Sequence, residues 1–309
     1  VVAPNALHAL GLTATDAPAA ARSTAAWGQA TIHALCAWPG RKPEAAKAHR
    51  CDGLLVGPFQ AAPPFDLLIL NTDGTLAERS GNGLTIFATH LAACGLAPPG
   101  PFDLCVHHAH TPTAVTVEAA EQDGAPGFWL ALGRPSFGPE AVGARPGGMV
   151  AGAASGSVTV PALAAIDPRW TRTVPLRIGN PHAVTVLDDP ATLPEMGALG
   201  TPPLLPALTR IAFAAASQGS GNPCPAGINL QWAALRPDGD LSARIFERGE
   251  GPTLSSGTSA TAVACAARRL GLVTKPRLRV HMPGGIAPIE FAPDGSVRLF
   301  GSAAPLLAV

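Results

Sequence analysis

Short apolar runs closed by turn signals recur along the chain: TIHALCAWPG (31–40), FDLLILNTDG (65–74), TAVTVEAAEQDG (113–124), FWLALGRP (128–135), HAVTVLDD (182–189), INLQWAALRPDG (228–239), LRVHMPGG (278–285), APIEFAPDG (287–295) and SVRLFG (296–301). Their length is that of strands, and the N-T-D-G, D-G and P-D-G endings suit hairpins and meanders. Helical patterns are fewer. The clearest cover 82–94 and 258–270, both Ala-rich and each followed by a Gly-Leu pair, Gly95-Leu96 and Gly271-Leu272, as a glycine C-cap requires.

The two helices share more than a cap. Ser80 precedes Gly81-Asn82-Gly83 and Ser256 precedes Gly257-Thr258, and an offset of 176 residues superposes Ser80 on Ser256, Gly81 on Gly257, Ala88 on Ala264 and Gly95 on Gly271 without a gap. A loop-helix unit repeated half a chain apart points to a duplicated domain. The expected division is 1–135 and 136–289, with a strand near 290–309 returning to the first half and the Pro/Gly-rich stretch 134–148 at the junction. Each helix start offers unpaired N–H groups and partial positive charge, so two of them could hold a carboxylate and stabilise negative charge developing beside it. Capping alone also accounts for a serine at each position.

Composition narrows the partners. The 21 Lys+Arg cancel the 21 Asp+Glu, so the chain has no broad basic field for nucleic acid and no polybasic stretch for a membrane. No run approaches about 18 uncharged apolar residues, and the six cysteines contain no C-x-x-C pair. These features predict a soluble, cytoplasmic protein with reduced thiols. CVHHAH (105–110) crowds Cys105, His107, His108 and His110, but on a strand Cys105 and His107 share one face while His108 and His110 share the other. Two ligands per face make a poor closed zinc site, so the reading is strand and no metal. GSGNP (219–223) lacks the Walker lysine, Trp129 and Trp232 read as core, and His90 as a satisfied or surface helix residue.

NTDGTLAERSGNG (71–83), GNPH (179–182), GINLQW (227–232), ERGEGPTLSSGT (247–258) and MPGG (282–285) stand in the order and approximate spacing of diaminopimelate epimerase and its relatives, which the chain resembles from about residue 50 onward. The resemblance implies an α/β (α+β) fold of two similar, pseudo-symmetric domains. Each would curl a barrel-like, mostly antiparallel sheet around a central helix, with the active site in the cleft between them. It implies a racemase or epimerase that uses neither pyridoxal phosphate nor metal and acts on an amino acid or dicarboxylate; a homodimer is left open. In the family two cysteine thiols exchange the α-proton from opposite faces. Here Ser80 and Ser256 occupy both positions. By the same carry-over Gly81-Asn82 and Gly257-Thr258 would bind the α-carboxylate. Asn71, Asn180, Asn229 and Arg248 would hold the distal arm, and His182 and Glu247 would lie near the α-amino group.

Two departures from the family pattern bear on substrate. Its N-terminal glycine-asparagine-aspartate segment is not recognisable in HALGLTATDAP (8–18), and Gly53 stands where a glutamine usually follows the aspartate of CDGLLVG (51–57). A third bears on chemistry. A thiol ionises near pH about 8.5, an alcohol nearer water's value of about 15.7; the difference is on the order of 10 kcal/mol. A helix N-terminus returns about 0.3–2 kcal/mol. Serine serves as base or nucleophile when a neighbouring base takes its proton, and His182 cannot serve two serines on opposite faces. Three readings stay open: a Cys-to-Ser form inert by substitution, an isomerase using another base such as Asp52, as related phenazine-pathway isomerases use a glutamate, or a ligand binder without turnover. Lysine-based relatives would need Lys42, Lys47 or Lys275, which lie in unmatched contexts.

Overall fold

FDLLIL becomes β2 (Phe65–Leu70), a strand buried on both faces, because residues alternate sides and both sides find apolar cover. The computed structural model describes residues 1–43, 49–108 and 112–304. Its contacts divide the chain into Val1–Leu130 with the residues from Gly301 on, and Ala131–Phe300.

In the first unit the strand order is β1 (Leu54–Val56), β2, β3 (Phe102–Val106), β4 (Thr113–Gln122), β5 (Ala125–Gly133). Every neighbouring pair with a described register is antiparallel except β2 with β3. Leu68 and Leu70 on one face of β2, with Val56, join a core formed by Leu7, Trp27, Ile32 and Cys36 from the N-terminal helices and Leu12 from the segment between them. These helices include α1 (Ala17–Arg22) and α2 (Thr24–Cys36). TIHALCAWPG, read above as a strand, supplies the end of α2. Trp27, Thr31, Ile32 and Cys36 are buried at helical spacing, a period that a short apolar run does not reveal by itself. The third helix of this unit, α3 (Gly81–Ala93), buries Leu84, Phe87 and Leu91 while Ile86 stays 45% exposed.

In the second unit, short strands β6 (Ser136–Phe137), β7 (Val150–Ala151) and β8 (Val158–Thr159) precede the main sheet. Its strands are β9 (Thr173–Ile178), β10 (Asn180–Leu187), β11 (Asn229–Leu235), β12 (Leu241–Glu247), β14 (Arg277–Met282), β15 (Gly285–Phe291) and β16 (Val297–Gly301). They run in the order β16-β15-β14-β12-β11-β10-β9-β8-β7, with β13 (Gly251–Thr253) on β12 and β6 on β9. The stretch 134–148 packs in this unit: Val142 is buried in its core, and Arg177 Nε donates to Ala141 O at 2.7 Å. The helices α4 (Pro161–Ala164), α5 (Met196–Leu199) and α6 (Leu204–Ala212) supply Leu163, Leu199, Leu208 and Ile211 to a core with Trp170 and Trp232.

The remaining helix, α7 (Gly257–Arg269), packs against β9, β10, β11, β12, β14 and β15, so the sheet wraps it. Every residue from Gly257 to Ala267 is buried. Its alanines follow from that enclosure, since strands on several sides leave no room for larger side chains.

The repeat extends beyond the two helices into the hydrogen-bond register. Leu54 pairs with Leu70 and Val56 with Leu68 in the first unit; the same 176-residue step gives Leu230 with Phe246 and Trp232 with Arg244 in the second. The parallel pairs Phe65/Leu104 and Asp66/Cys105 recur as Leu241/Val280 and Ser242/His281. Both helices end alike: Leu96 N–H donates to Leu91 O and Leu272 N–H to Ala267 O, each at 2.9 Å. Gly95 and Gly271 take φ of 69° and 72°, the left-handed turn that a helix stop demands.

Candidate functional site

Ser80 sits in extended conformation, φ −142° and ψ 119°, and its Oγ accepts the Gly83 N–H at 3.1 Å. Its carbonyl accepts Leu84 N–H at 2.9 Å. With Gly83 N–H capped by the side chain, the N–H groups of Gly81 and Asn82 are the next two at the open helix start. Ser256 repeats the arrangement with φ −150° and ψ 121°: Oγ accepts Ser259 N–H at 3.4 Å and its carbonyl accepts Ala260 N–H at 2.9 Å. The corresponding pair is Gly257 and Thr258. These four residues are the ones assigned above to carboxylate binding.

Three of the second-unit candidates meet at one end of the sheet. His182 in β10 lies directly across from Asn229 in the parallel β11. The Asn229 amide spans neighbouring strands, Nδ2 donating to Pro181 O at 3.1 Å and Oδ1 accepting Arg248 N–H at 2.8 Å. It therefore sets the spacing of the strand ends. Arg248 also donates from Nη1 to Ala226 O at 3.2 Å. Glu247 ends β12 against Gly251 and is half-buried, as is Asn180 at the start of β10.

His182 is fully buried, and Gln231 Nε2 lies 3.0 Å from its Nδ1 and donates to Ser259 Oγ at 3.1 Å. With the amide nitrogen facing it, Nδ1 accepts and Nε2 carries the proton. Burial first, then the charges of Arg248 and Arg177, push the imidazole pKa down to about 3. The ring is thus neutral at physiological pH, a hydrogen-bond donor rather than a base. His182 Nε2 and Gln231 Oε1 have no hydrogen-bond partner among the described residues. Gln231 stands inside the quoted GINLQW motif but carried no assignment; a glutamine flanked by Leu230 and Trp232 in a buried strand is the signal for it.

In the first unit Asn71 directly follows β2, its Nδ2 donating to Thr75 Oγ1 at 3.0 Å, while Thr75 Oγ1 donates to Asp73 Oδ1 at 2.6 Å. The 176-residue step pairs Asn71 with Glu247, both at the strand end that leads to the serine. Asp52 is exposed in a bend. Gly53 has φ 151°, and a Cβ there would come within 2.6 Å of Leu70 O, so this backbone excludes the family's glutamine. In HALGLTATDAP, Asp16 caps α1, its Oδ1 accepting Ala19 N–H at 2.8 Å.

Other residues singled out in the sequence take structural places. Lys275 Nζ donates to Asp238 O and Lys42 Nζ to Pro43 O, both on exposed surface; Lys47 and His110 lie outside the described residues. Trp129 and Trp232 are buried, and His90 lies 3.7 Å from Cys94 Sγ one helical turn on. No helix among the described residues is long and apolar enough to cross a membrane.

Comparison with known proteins bears on the family and the fold. The diaminopimelate epimerase family profile matches residues 175–304. The chain is 30% identical over 257 residues to diaminopimelate epimerase 2 of Nostoc sp. (strain PCC 7120 / SAG 25.82 / UTEX 2576), covering 82% of this chain and 79% of that protein. It is 32% identical over 239 residues to the diaminopimelate epimerase of Streptomyces coelicolor, covering 75% and 68%. Among solved structures, a hydroxyproline epimerase from Agrobacterium vitis with bound trans-4-OH-L-proline superposes with a TM-score of 0.52 at 14% identity, over 94% of this chain and 81% of that one, a likeness of fold. Identity of 30% and 32% over more than two thirds of these relatives, on a mixed α/β, mostly antiparallel fold, places this chain in the diaminopimelate epimerase family.

Proposed function

We propose that this protein is an amino-acid racemase or epimerase that moves the proton at a carbon next to a carboxylate, with Ser80 and Ser256 in the two proton-exchange roles and the N–H groups of Gly81-Asn82 and of Gly257-Thr258 as carboxylate donors. The observation that carries the reading is the pair of matching helix starts, each with two N–H groups left for an anion beside a serine hydroxyl. Such donors, fixed before the substrate arrives, stabilise the carbanion-like transition state of proton abstraction next to a carboxylate. His182 Nε2–H and Gln231 Oε1 support the reading as well. A buried donor and a buried acceptor without partners are costly, and a polar ligand would satisfy both. Asn71, Asn180, Asn229, Arg248 and Glu247 complete the assigned ligand contacts, Asn229 acting through the strand ends it ties together.

The neutral, weakly basic His182 also favours a second reading, in which the ligand is held without turnover. Its Nδ1 is engaged by Gln231 and its conjugate acid is strong, so it does not activate a serine as the imidazole of a hydrolase triad does. Without such a base the alkoxide cost of about 10 kcal/mol stands.

Proton exchange separates the two. The protein is incubated in heavy water with L- and D-amino acids, including those with a distal carboxylate, and loss of the α-proton signal is followed by NMR. Exchange by the wild-type chain establishes turnover, and its loss in Ser80→Ala and in Ser256→Ala assigns that turnover to the serines rather than to another base such as Asp52. Ligand-dependent thermal stabilisation without exchange, with exchange appearing only in the doubly substituted Ser80→Cys, Ser256→Cys protein, establishes the binder. Absence of both stabilisation and exchange in the two proteins overturns the assignment.

A further inference from the structure

The pair Cys105 and His107 acquires from the fold a third donor that its own strand does not contain. Asp66 in β2 is the direct cross-strand neighbour of Cys105 in the parallel β3, and His107, two residues on, continues the ladder by donating its N–H to Leu67 O at 2.9 Å. All three side chains therefore rise from the same face of two adjacent strands. Their donor atoms, a carboxylate oxygen, a thiol sulfur and an imidazole nitrogen, lie within 4.8 Å of one another.

The contact between two of them is unusual. His107 Nε2 is 3.0 Å from Asp66 Oδ1, yet this buried nitrogen has no hydrogen-bond partner of acceptable geometry among the described residues. His107 is only 8% exposed, so water does not relieve it freely. Two polar atoms that approach without aligning a proton between them are placed as ligands of a common third atom are placed. On a tetrahedral zinc ion with bonds of about 2.0–2.3 Å, neighbouring ligand atoms stand roughly 3.3–3.6 Å apart. The His107 Nε2–Asp66 Oδ1 separation of 3.0 Å lies a little inside that range, and the three donor atoms all lie within 4.8 Å of one another.

We propose that Asp66, Cys105 and His107 form a binding site for a divalent transition metal of the zinc class in the first unit, separate from the residues assigned to proton exchange. A thiolate and an imidazole favour zinc or cobalt over magnesium or calcium, which take oxygen donors. Three protein ligands leave the fourth tetrahedral position for water. The ion clamps the only parallel strand pair with a described register in this unit, and the thiol gives up its proton on binding. The other three-donor cluster, Asp238, Asp240 and His281, does not match it. Asp240 Oδ1 is spent on Arg279 N–H and Asp238 Oδ1 on Asp240 N–H, each at 3.0 Å.

The test uses the full chain stripped of metal by chelator and titrated with Zn²⁺ by calorimetry and with Co²⁺ by absorption. The expected result is one equivalent bound, with a thiolate-to-cobalt charge-transfer band that survives Cys94→Ser. Cys105→Ser, Asp66→Asn and His107→Gln each weaken binding at least tenfold, and His108→Gln leaves it unchanged. Far-UV circular dichroism confirms that each variant is folded. The proposal is overturned if wild-type protein binds no stoichiometric metal, if bound cobalt shows no thiolate band, or if the band or the affinity persists in folded Cys105→Ser. Should that variant fail to fold, the wild-type cobalt spectrum together with folded His107→Gln decides: a missing band, or affinity retained without His107, overturns it.

Discussion

Replacing His182 by glutamine should flatten the acid side of the stability curve. In the folded protein its pKa lies at about 3 because burial, Arg248 and Arg177 all oppose the charged form; in the unfolded chain it returns to about 6.5. Between these values the unfolded state binds a proton that the folded state refuses. Stability therefore rises with pH across this window and is lost as pH falls from about 6.5 toward 3. From pH 7.5 to 4.5 the loss due to this one residue is about 2.7 kcal/mol, from the linkage relation with those two pKa values. The figure is robust, because a folded value one unit higher changes it by only about 0.1 kcal/mol. Asp167, Asp238 and Asp294 also have lowered pKa values, but their contribution falls away below about pH 4, outside the range. Urea denaturation of wild type and His182→Gln at half-unit pH steps measures the difference directly, since the other histidines cancel in the subtraction. Parallel curves, with a pH-dependent difference below about 0.5 kcal/mol, would refute a buried neutral His182.

Ser80→Ala and Ser256→Ala should each cost about 1 kcal/mol in the same denaturation assay, the usual worth of a serine N-cap; a cost near zero in both would mean that the caps do not hold their helices. Gly53→Gln, which restores the family residue, should destabilise by more than about 2 kcal/mol through left-handed strain and collision with Leu70 O, and a neutral result would show a different backbone there. Thiol labelling of native protein should reach exposed Cys94 first. Cys265 and Cys36, buried and with pKa values pushed up to about 12, by burial for Cys265 and by burial and Cys51 for Cys36, should label only on unfolding.

Much of the fold was legible because its signals are local. Eight of the nine apolar runs quoted first contain or adjoin strands, and the Gly-Leu helix stops at 95–96 and 271–272 occur where the left-handed residue was expected. The repeat at 176 residues was visible in glycine and alanine alone and proved to carry the strand register with it. What failed was the run at 31–40: a short apolar segment fits a strand and a buried helix equally well, and packing against Val56, Leu68 and Leu70 decides for the helix.

The candidate site divides in the same way. Cap positions follow from neighbouring residues, so Ser80, Gly81, Asn82 and Ser256, Gly257, Thr258 could be named from the sequence. Gln231 could not, because its importance lies in joining His182 to Ser259 across separate elements. Asp66 likewise meets Cys105 and His107 only through the pairing of two strands. By itself the sequence determined the family, the strand-rich α/β class and the two serine-capped helix starts, since all of these reside in short-range pattern and order. Only the tertiary structure decided the charge state of His182, the closure of Gly53 to a side chain and the partner that Asp66 provides, because burial and cross-strand neighbours come from residues far apart along the chain.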